Sequence, residues 1–206
     1  MSQHSQKKVF QLLMQGKSIE QISEETQIPV GIIGEWVNQK KKSEEVSSLI
    51  KAKKYDEAIA ICNRFPRSTV FQSQLMDIYI KQGKYNLAMI VGKKFPNNPI
   101  IQAQMITCYC RLRNFSEAED IVEKNPKNTN VLPTLIKGYR RELNEVENIV
   151  KGKDEEYDKE IYARILELRT VLMDCKEKTF SEIRETIGNI RDFITKFYEK
   201  EKENGR

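Results

Sequence analysis

Residue types that carry catalysis or hold metals are sparse in this chain. A general base, an activated nucleophile or a metal site draws on His, Cys or converging carboxylates. The 206 residues include one histidine, His4, and four cysteines. His4 stands alone in a polar terminus, MSQHSQKK. Cys108 and Cys110 are two apart on a stretch that reads as helix, so they point to different faces and lack the spacing of a zinc knuckle. Cys62 falls on an apolar helix column and Cys175 in a heptad seam, so both read as core thiols. The DEEYDKE run (154–160) could suggest calcium, yet consecutive acids on a helix diverge, and the run sits where helix N-termini favour acids. There is no Gly-rich phosphate loop, HExxH or Gly-x-Ser-x-Gly. The sequence predicts no enzyme, no cofactor and no metal.

Binding is the remaining class of function, and an internal repeat supplies the elements for it. KKYDEAIAICNRFP (53–66), GKYNLAMIVGKKFP (83–96) and RNFSEAEDIVEKNP (113–126) align thirty residues apart without a gap. Tyr55, Tyr85 and Phe115 form one column, Ala58, Ala88 and Ala118 a second, Ile61, Val91 and Ile121 a third, and Pro66, Pro96 and Pro126 a fourth. Leu75, Ile78 and Tyr79 recur as Met105, Cys108 and Tyr109, then as Leu135, Gly138 and Tyr139. Apolar residues at three-and-four spacing make each unit two amphipathic helices, A and B, punctuated by a turn and a later proline. A two-helix unit cannot bury its apolar face alone, so a repeat of this length signals a solenoid.

The pattern Tyr79-x3-Gly83-x-Tyr85-x2-Ala88, closed by Pro96, resembles the tetratricopeptide repeat over about 45–145. The period is 30 rather than about 34. The early large aromatic of helix A is replaced by Gln72, Gln102 and Leu132. The array is therefore tetratricopeptide-like, with a divergent helical-hairpin family as the alternative. The resemblance implies a concave surface built by helix A positions Ser73, Asp77, Ile80 and Lys81, then Ala103, Thr107, Cys110 and Arg111, then Pro133, Lys137, Arg140 and Arg141. Such surfaces usually bind peptides.

Charge favours an acidic partner on that surface. Residues 1–42 carry net +2, 43–145 net +5 and 146–206 net −2, which sum to the chain's +5. Lys51, Lys81, Arg111 and Arg141 are placed at the ends of helices A, and Arg64, Lys94 and Lys124 at the ends of helices B. A cation there offsets the helix dipole without any ligand. As a ridge, the first column would also attract an acidic peptide or a phosphate backbone.

The first forty residues read as a separate unit, 1–42. VFQLLMQG (9–16) is a helix with Phe10, Leu13 and Met14 on one face, stopped at Gly16. Ser18 and Gln21 form a capping box for a second helix, and VGIIGEWVNQ is a short third. The three helices resemble a helix-turn-helix, with Ile19, Ile22, Ile28, Ile33, Trp36 and Val37 where that motif packs its core, and Gln27 where its turn usually has glycine. In such a unit Val30, Gly31, Asn38, Lys40, Lys41 and Lys42 would meet DNA. Base edges are read by hydrogen bonds and phosphates by cations; Pro29, Val30, Gly31 and Gly34 offer neither, and Glu35 would repel phosphate. A cap on the first repeat is the rival reading.

The segment 146–206 reads as a helical hairpin that turns near 176–179, with Thr179 and Glu182 as a second capping box. Ile161, Ile165, Leu168, Leu172 and Cys175 form one heptad seam, and Ile183, Ile187, Ile190, Ile194 and Phe197 the other. The seams either close the array or pair two copies, with Ile161, Ile165, Leu168, Leu172, Ile187, Ile190 and Ile194 as the homodimer contact. With 39% apolar and 32% charged residues the chain has enough of both for a folded domain. No stretch approaches the roughly 20 apolar residues of a membrane helix, and the polar N-terminus lacks a secretory apolar core, so a reducing cytoplasm and free thiols are expected. The reading is an all-α protein in three segments, 1–42, 43–145 and 146–206. It acts as a non-enzymatic adaptor or scaffold that binds a peptide on its helix A face. The alternative is a DNA-binding regulator whose repeats sense or dimerise.

Overall fold

The computed structural model describes residues 3–151, 156–175 and 178–203, which form eleven α-helices and no strand. The protein is an all-α array of helical hairpins. It divides into two compact units, with the boundary between Ile78 and Tyr79.

The first unit contains α1 (Gln3–Met14), α2 (Ile19–Thr26), α3 (Val30–Lys51), α4 (Tyr55–Asn63) and most of α5 (Thr69–Lys81). Ser18 caps α2 by accepting from the Gln21 backbone N–H at 3.3 Å, while the Gln21 side chain accepts from the Ser18 N–H at 2.9 Å. Gln27 closes α2 in the left-handed region at φ 57°, the conformation for which such a turn usually carries glycine. Val9, Leu12, Ile22, Ile28 and Ile33 are buried together, with Leu13, Ile19, Ile32, Trp36 and Val37 packed on them. The buried face of α1 is thus Val9 and Leu12, and Met14 is exposed. Phe10, Leu13, Met14 and Val9, Leu12, Leu13 both satisfy helical spacing, and packing on α2 and α3 selects the second set.

Two further sequence expectations are corrected here. The third helix is not the short VGIIGEWVNQ and does not end at residue 39: α3 has 22 residues and runs on to Lys51. Neither Gly nor Pro occurs between Glu35 and Lys51, so nothing interrupts backbone hydrogen bonding. Lys40–Lys42 are therefore helical, and the first helix A of the array is the second half of α3.

Three A-to-B turns share one geometry. The backbone N–H of Lys54, Lys84 and Asn114 donates to the carbonyl of Leu49, Tyr79 and Tyr109 at 2.8–2.9 Å. The residue before each lies in the left-handed region: Lys53 at φ 59°, Gly83 at φ 72° and Arg113 at φ 59°. This is the Schellman closure, which glycine adopts most readily. Lys53→Gly is therefore expected to stabilise the first unit by about 0.5–1 kcal/mol. Urea midpoints of wild type and variant check this, and a lower midpoint for the variant would refute it.

The second unit holds the end of α5 and then α6 (Tyr85–Gly92), α7 (Pro99–Arg111), α8 (Phe115–Lys124), α9 (Val131–Val150), α10 (Glu156–Asp174) and α11 (Phe180–Glu203). Ala88 and Ala118 are fully buried, as is Ala58 in the first unit. Gln102, the departure from the aromatic at its column, is buried and holds the turn that precedes α7 to the one that follows α8. Its Nε2 donates to the Pro96 carbonyl at 2.8 Å and to Asn125 Oδ1 at 2.7 Å, and its Oε1 accepts from Asn128 Nδ2 at 2.7 Å. No aromatic there could donate two of these bonds and accept the third. In the first unit, Gln72 Nε2 likewise donates to the Phe65 carbonyl at 3.3 Å.

The repeat ends at α9, which continues unbroken through the position of the A-to-B turn and past residue 145 to Val150. Arg141 consequently lies mid-helix rather than at a helix end, unlike Lys51, Lys81 and Arg111, each the last residue of its helix. The last hairpin closes the array within the same chain. Ile161, Ile165, Leu168, Leu172, Ile187, Ile190 and Ile194 are all buried in one core with α7, α8 and α9. They do not form a homodimer contact, because every one of these side chains is already covered within the chain. Of the capping box expected at Thr179 and Glu182, the carboxylate half forms: Glu182 Oε2 accepts from the Thr179 backbone N–H and from its hydroxyl, each at 2.6 Å. The first part of the DEEYDKE run and residues 176–177 of the hairpin turn lie outside the described residues.

Candidate functional site

The helix A face of the second unit contains a groove of about 480 Å³ between α7 and α9, lined by Ile100, Ala103, Gln104, Thr107, Thr129, Asn130, Pro133, Thr134 and Lys137. Residues 100, 103, 104 and 107 share one face of α7, and 130, 133, 134 and 137 share one face of α9, by three-and-four spacing. The two helices approach closely because Gly138 faces Cys110: a Cβ at Gly138 would lie 2.5 Å from Cys110 Sγ. Asn98 fixes the start of α7 by accepting from the Ile100 and Ile101 N–H groups at 3.1 Å. Around the exposed side of α9 the groove meets a second one of about 570 Å³, lined by Leu132, Pro133, Ile136, Lys137, Arg140, Arg141 and Asn144.

The expected partner-binding residues are sorted as follows. Thr107 and Lys137 line the first groove, and Lys137, Arg140 and Arg141 the second. Arg111 is exposed one turn beyond Thr107 on α7. Asp77 and Lys81 lie on α5, and neither is a free charge. Cys110 does not line the surface: it is fully buried under Gly138. Arg141 is committed to the fold, because its Nη2 donates to the Cys110 carbonyl at 3.0 Å and to Glu142 Oε1 at 2.7 Å. Glu142 is buried and its other oxygen accepts from Arg113 Nε at 3.1 Å. The Arg113 guanidinium in turn stacks on the Tyr198 ring at 3.5 Å. Arg111, Lys137 and Arg140 make no ion pair among the described residues. The surface cations are thus Arg111, Lys137 and Arg140.

Ile100, Gln104, Thr129, Asn130 and Thr134 line the groove without having been singled out from the sequence. Stepping back by three and four reaches Gln104, Ala103 and Ile100 from Thr107 and Thr134, Pro133 and Asn130 from Lys137, so the signal was present for four of the five. Thr129 precedes α9 and its N-cap Asn130, so no helical register reaches it.

In the first unit, Val30, Gly31, Asn38, Lys40 and Lys41 are exposed. Lys40 lies 4.8 Å over the Phe10 ring and 4.0 Å from Glu44, and Lys42 pairs with Glu45 at 2.7 Å. These partners lower the charge α3 offers to phosphate.

The buried Tyr139, Cys108 and Cys110 of the second unit are structural. The Tyr139 phenol donates to Glu119, which also accepts from Arg191 Nη1 at 2.7 Å. Burial first, and then the Glu119 carboxylate, hold the phenol far above its ordinary range. Burial also pushes the Cys108 and Cys110 thiols up to about 12. Thiols held protonated in this way are poor nucleophiles. No group of three or more His, Cys, Asp or Glu is placed to hold a metal among the described residues, and no helix among them is long and apolar enough to cross a membrane.

Comparison with known families places a PPR repeat at residues 104–124, which is the second half of α7, the turn and α8. The α7–α8 hairpin is therefore a repeat of the helical-repeat class, similar to the tetratricopeptide type. The match spans this one hairpin. No curated protein and no solved structure matches the chain.

Proposed function

We propose that this protein is a non-enzymatic helical-repeat binding module that holds a protein or peptide segment on the A face of α7 and α9, with acidic segments preferred. The observation that carries the reading is the α7–α9 groove, whose floor is small and amide side chains and whose rim carries Lys137. Alanine and proline let a backbone approach, and amides and hydroxyls satisfy its polar groups. Arg111, Lys137 and Arg140 add an attraction for carboxylates that weakens with salt. Peptides of about 16 residues selected from a displayed random library against the full chain provide the test. Their affinity is expected to fall by at least about 100-fold, or about 2.7 kcal/mol, in the variant Arg111→Glu/Lys137→Glu/Arg140→Glu, with the helical circular dichroism intact. Unchanged affinity would sink the reading. Arg141 is left in place because its contacts hold α7 to α9.

A nucleic-acid partner is the second reading, favoured by the PPR repeat match, since repeats of that class read RNA one base at a time with two or three side chains per repeat. The A face of α7 and α9 presents no aromatic side chain for stacking bases, which weighs toward protein. Duplex DNA binding through α3 is weaker still, because Lys40 and Lys42 have carboxylate partners and the exposed start of the helix carries Val30 and Gly31. Anisotropy of labelled single-stranded RNA and of a random DNA duplex between about 50 and 200 mM salt separates these readings. A steep salt-dependent affinity for either would move the nucleic-acid reading ahead.

A further inference from the structure

The binding face continues beyond the last repeat helix. Asn144 lines the second groove on α9, and Arg169 of α10 donates to Asn144 and pairs with Glu147. The side of α10 that carries Arg169 therefore borders that groove. At 100° per residue, Tyr162, Leu166 and Met173 lie within about 60° of Arg169 around the helix, so they share its side. All three are exposed, at 37%, 46% and 52%. They form an apolar stripe about 16 Å long, whereas the neighbouring stripe, Ile161, Ile165, Leu168 and Leu172, is fully used in the core. The groove beside it has an apolar floor, Leu132 and Ile136, and the cations Lys137 and Arg140 on its edge.

We propose that α9 and α10 together dock an amphipathic helix from a partner protein, with its apolar side chains against Leu166, Met173 and Tyr162 and its acidic side chains on Lys137 and Arg140. The stripe length suits a helix with apolar residues at i, i+4, i+7 and i+11, and charge complementarity sets the acidic flank. This rests on the binding-module reading above and names its partner class. Docking of an amphipathic helix in an apolar groove is a general recognition mode.

The probe is a fluorescein-labelled peptide of about 18 residues with leucines at i, i+4, i+7 and i+11 and glutamates along one flank, measured by anisotropy against the full chain. A second peptide has lysines in place of the glutamates. The acidic peptide is expected to bind. Leu166→Ser/Met173→Ser is expected to weaken it at least about tenfold with the helical circular dichroism intact, because neither side chain is part of the buried core. Lys137→Glu/Arg140→Glu is expected to weaken it similarly, and the lysine peptide to bind at least about tenfold less tightly. If only the charge variant weakens binding, the α10 stripe is not part of the site, although the groove stands. Equal binding of both peptides overturns the acidic assignment. No binding of the acidic peptide while library-selected peptides still depend on Lys137 overturns the helix-docking proposal alone. A dimer in light scattering that Leu166→Ser/Met173→Ser dissociates would make the occupant a second copy and overturn the assignment to a partner protein.

Discussion

Gly138→Ala lowers the melting temperature of the second unit by roughly 4–8 °C, against the direction that helix propensity predicts. In an open helix the change gains about 1 kcal/mol. At this position the added Cβ would sit 2.5 Å from Cys110 Sγ and 2.8 Å from Cys110 Cβ, distances at which something must move. Cys110 is fully buried, so its sulfur has nowhere open to go, and α7 must separate from α9. Overpacking of this kind costs about 1–3 kcal/mol and sometimes more. Two contacts this short put the cost at the upper end, leaving a net loss of about 2 kcal/mol, which corresponds to the stated shift for a domain of this size. Thermal unfolding followed by circular dichroism measures it. Cys110→Ala in the same background removes the nearer contact and is expected to restore part of the loss. A melting temperature equal to or above wild type would show that the α7–α9 approach is looser than described, and the groove geometry would fall with it.

The second large effect is a loss of stability in alkali. Cys108 and Cys110 are buried in the same helix, and burial raises each thiol from 9.0 to about 12. In the unfolded chain they ionise near the ordinary value, so above about pH 9 the unfolded state holds fewer protons than the folded one, and stability falls as pH rises. The stabilisation is complete below about pH 9 and is lost progressively toward about pH 12. Each thiol contributes up to about 1.4 kcal/mol per pH unit within that window. The buried Tyr139 phenol adds a loss of the same sign that begins near pH 10, where the phenol ionises in the unfolded chain. Urea midpoints measured between pH 8 and pH 11 are expected to drop steeply, and Cys108→Ala/Cys110→Ala to flatten the drop. A midpoint independent of pH over that range would mean that solvent reaches the thiols in the folded state.

How much of this was legible without coordinates depends on whether a feature is local or shared between distant segments. The 30-residue period, the burial of Ala58, Ala88 and Ala118, the Ser18 and Thr179 caps and the left-handed Gln27 are set by a few neighbouring residues. Hydrophobic spacing, capping and turn chemistry act over one or two helical turns, so these features can be read from the chain. The end of α3 was misplaced because the third helix was read over VGIIGEWVNQ alone, while helix propagation requires only that no breaker intervene.

The site divides along the same line. Thr107, Lys137 and Arg140 follow from the repeat register and lie where that register places them. The commitment of Arg141 to Glu142 and the Cys110 carbonyl does not follow from the register, because its partners include a residue 31 positions away. The role of Gln102 between two turns is hidden for the same reason. The heptad seams of α10 and α11 were visible as seams, but a seam of Ile and Leu carries no record of whether its partner is in the same chain. Packing against α8 and α9 decided that, because burying all the seam residues within one chain leaves no apolar surface there for a second copy. The sequence alone determined the helices, their period and the sign of the charge on the repeats. Only the tertiary structure decided which cations remain at the surface and which apolar stripe of α10 stays uncovered, since both depend on what distant segments bring to the same place.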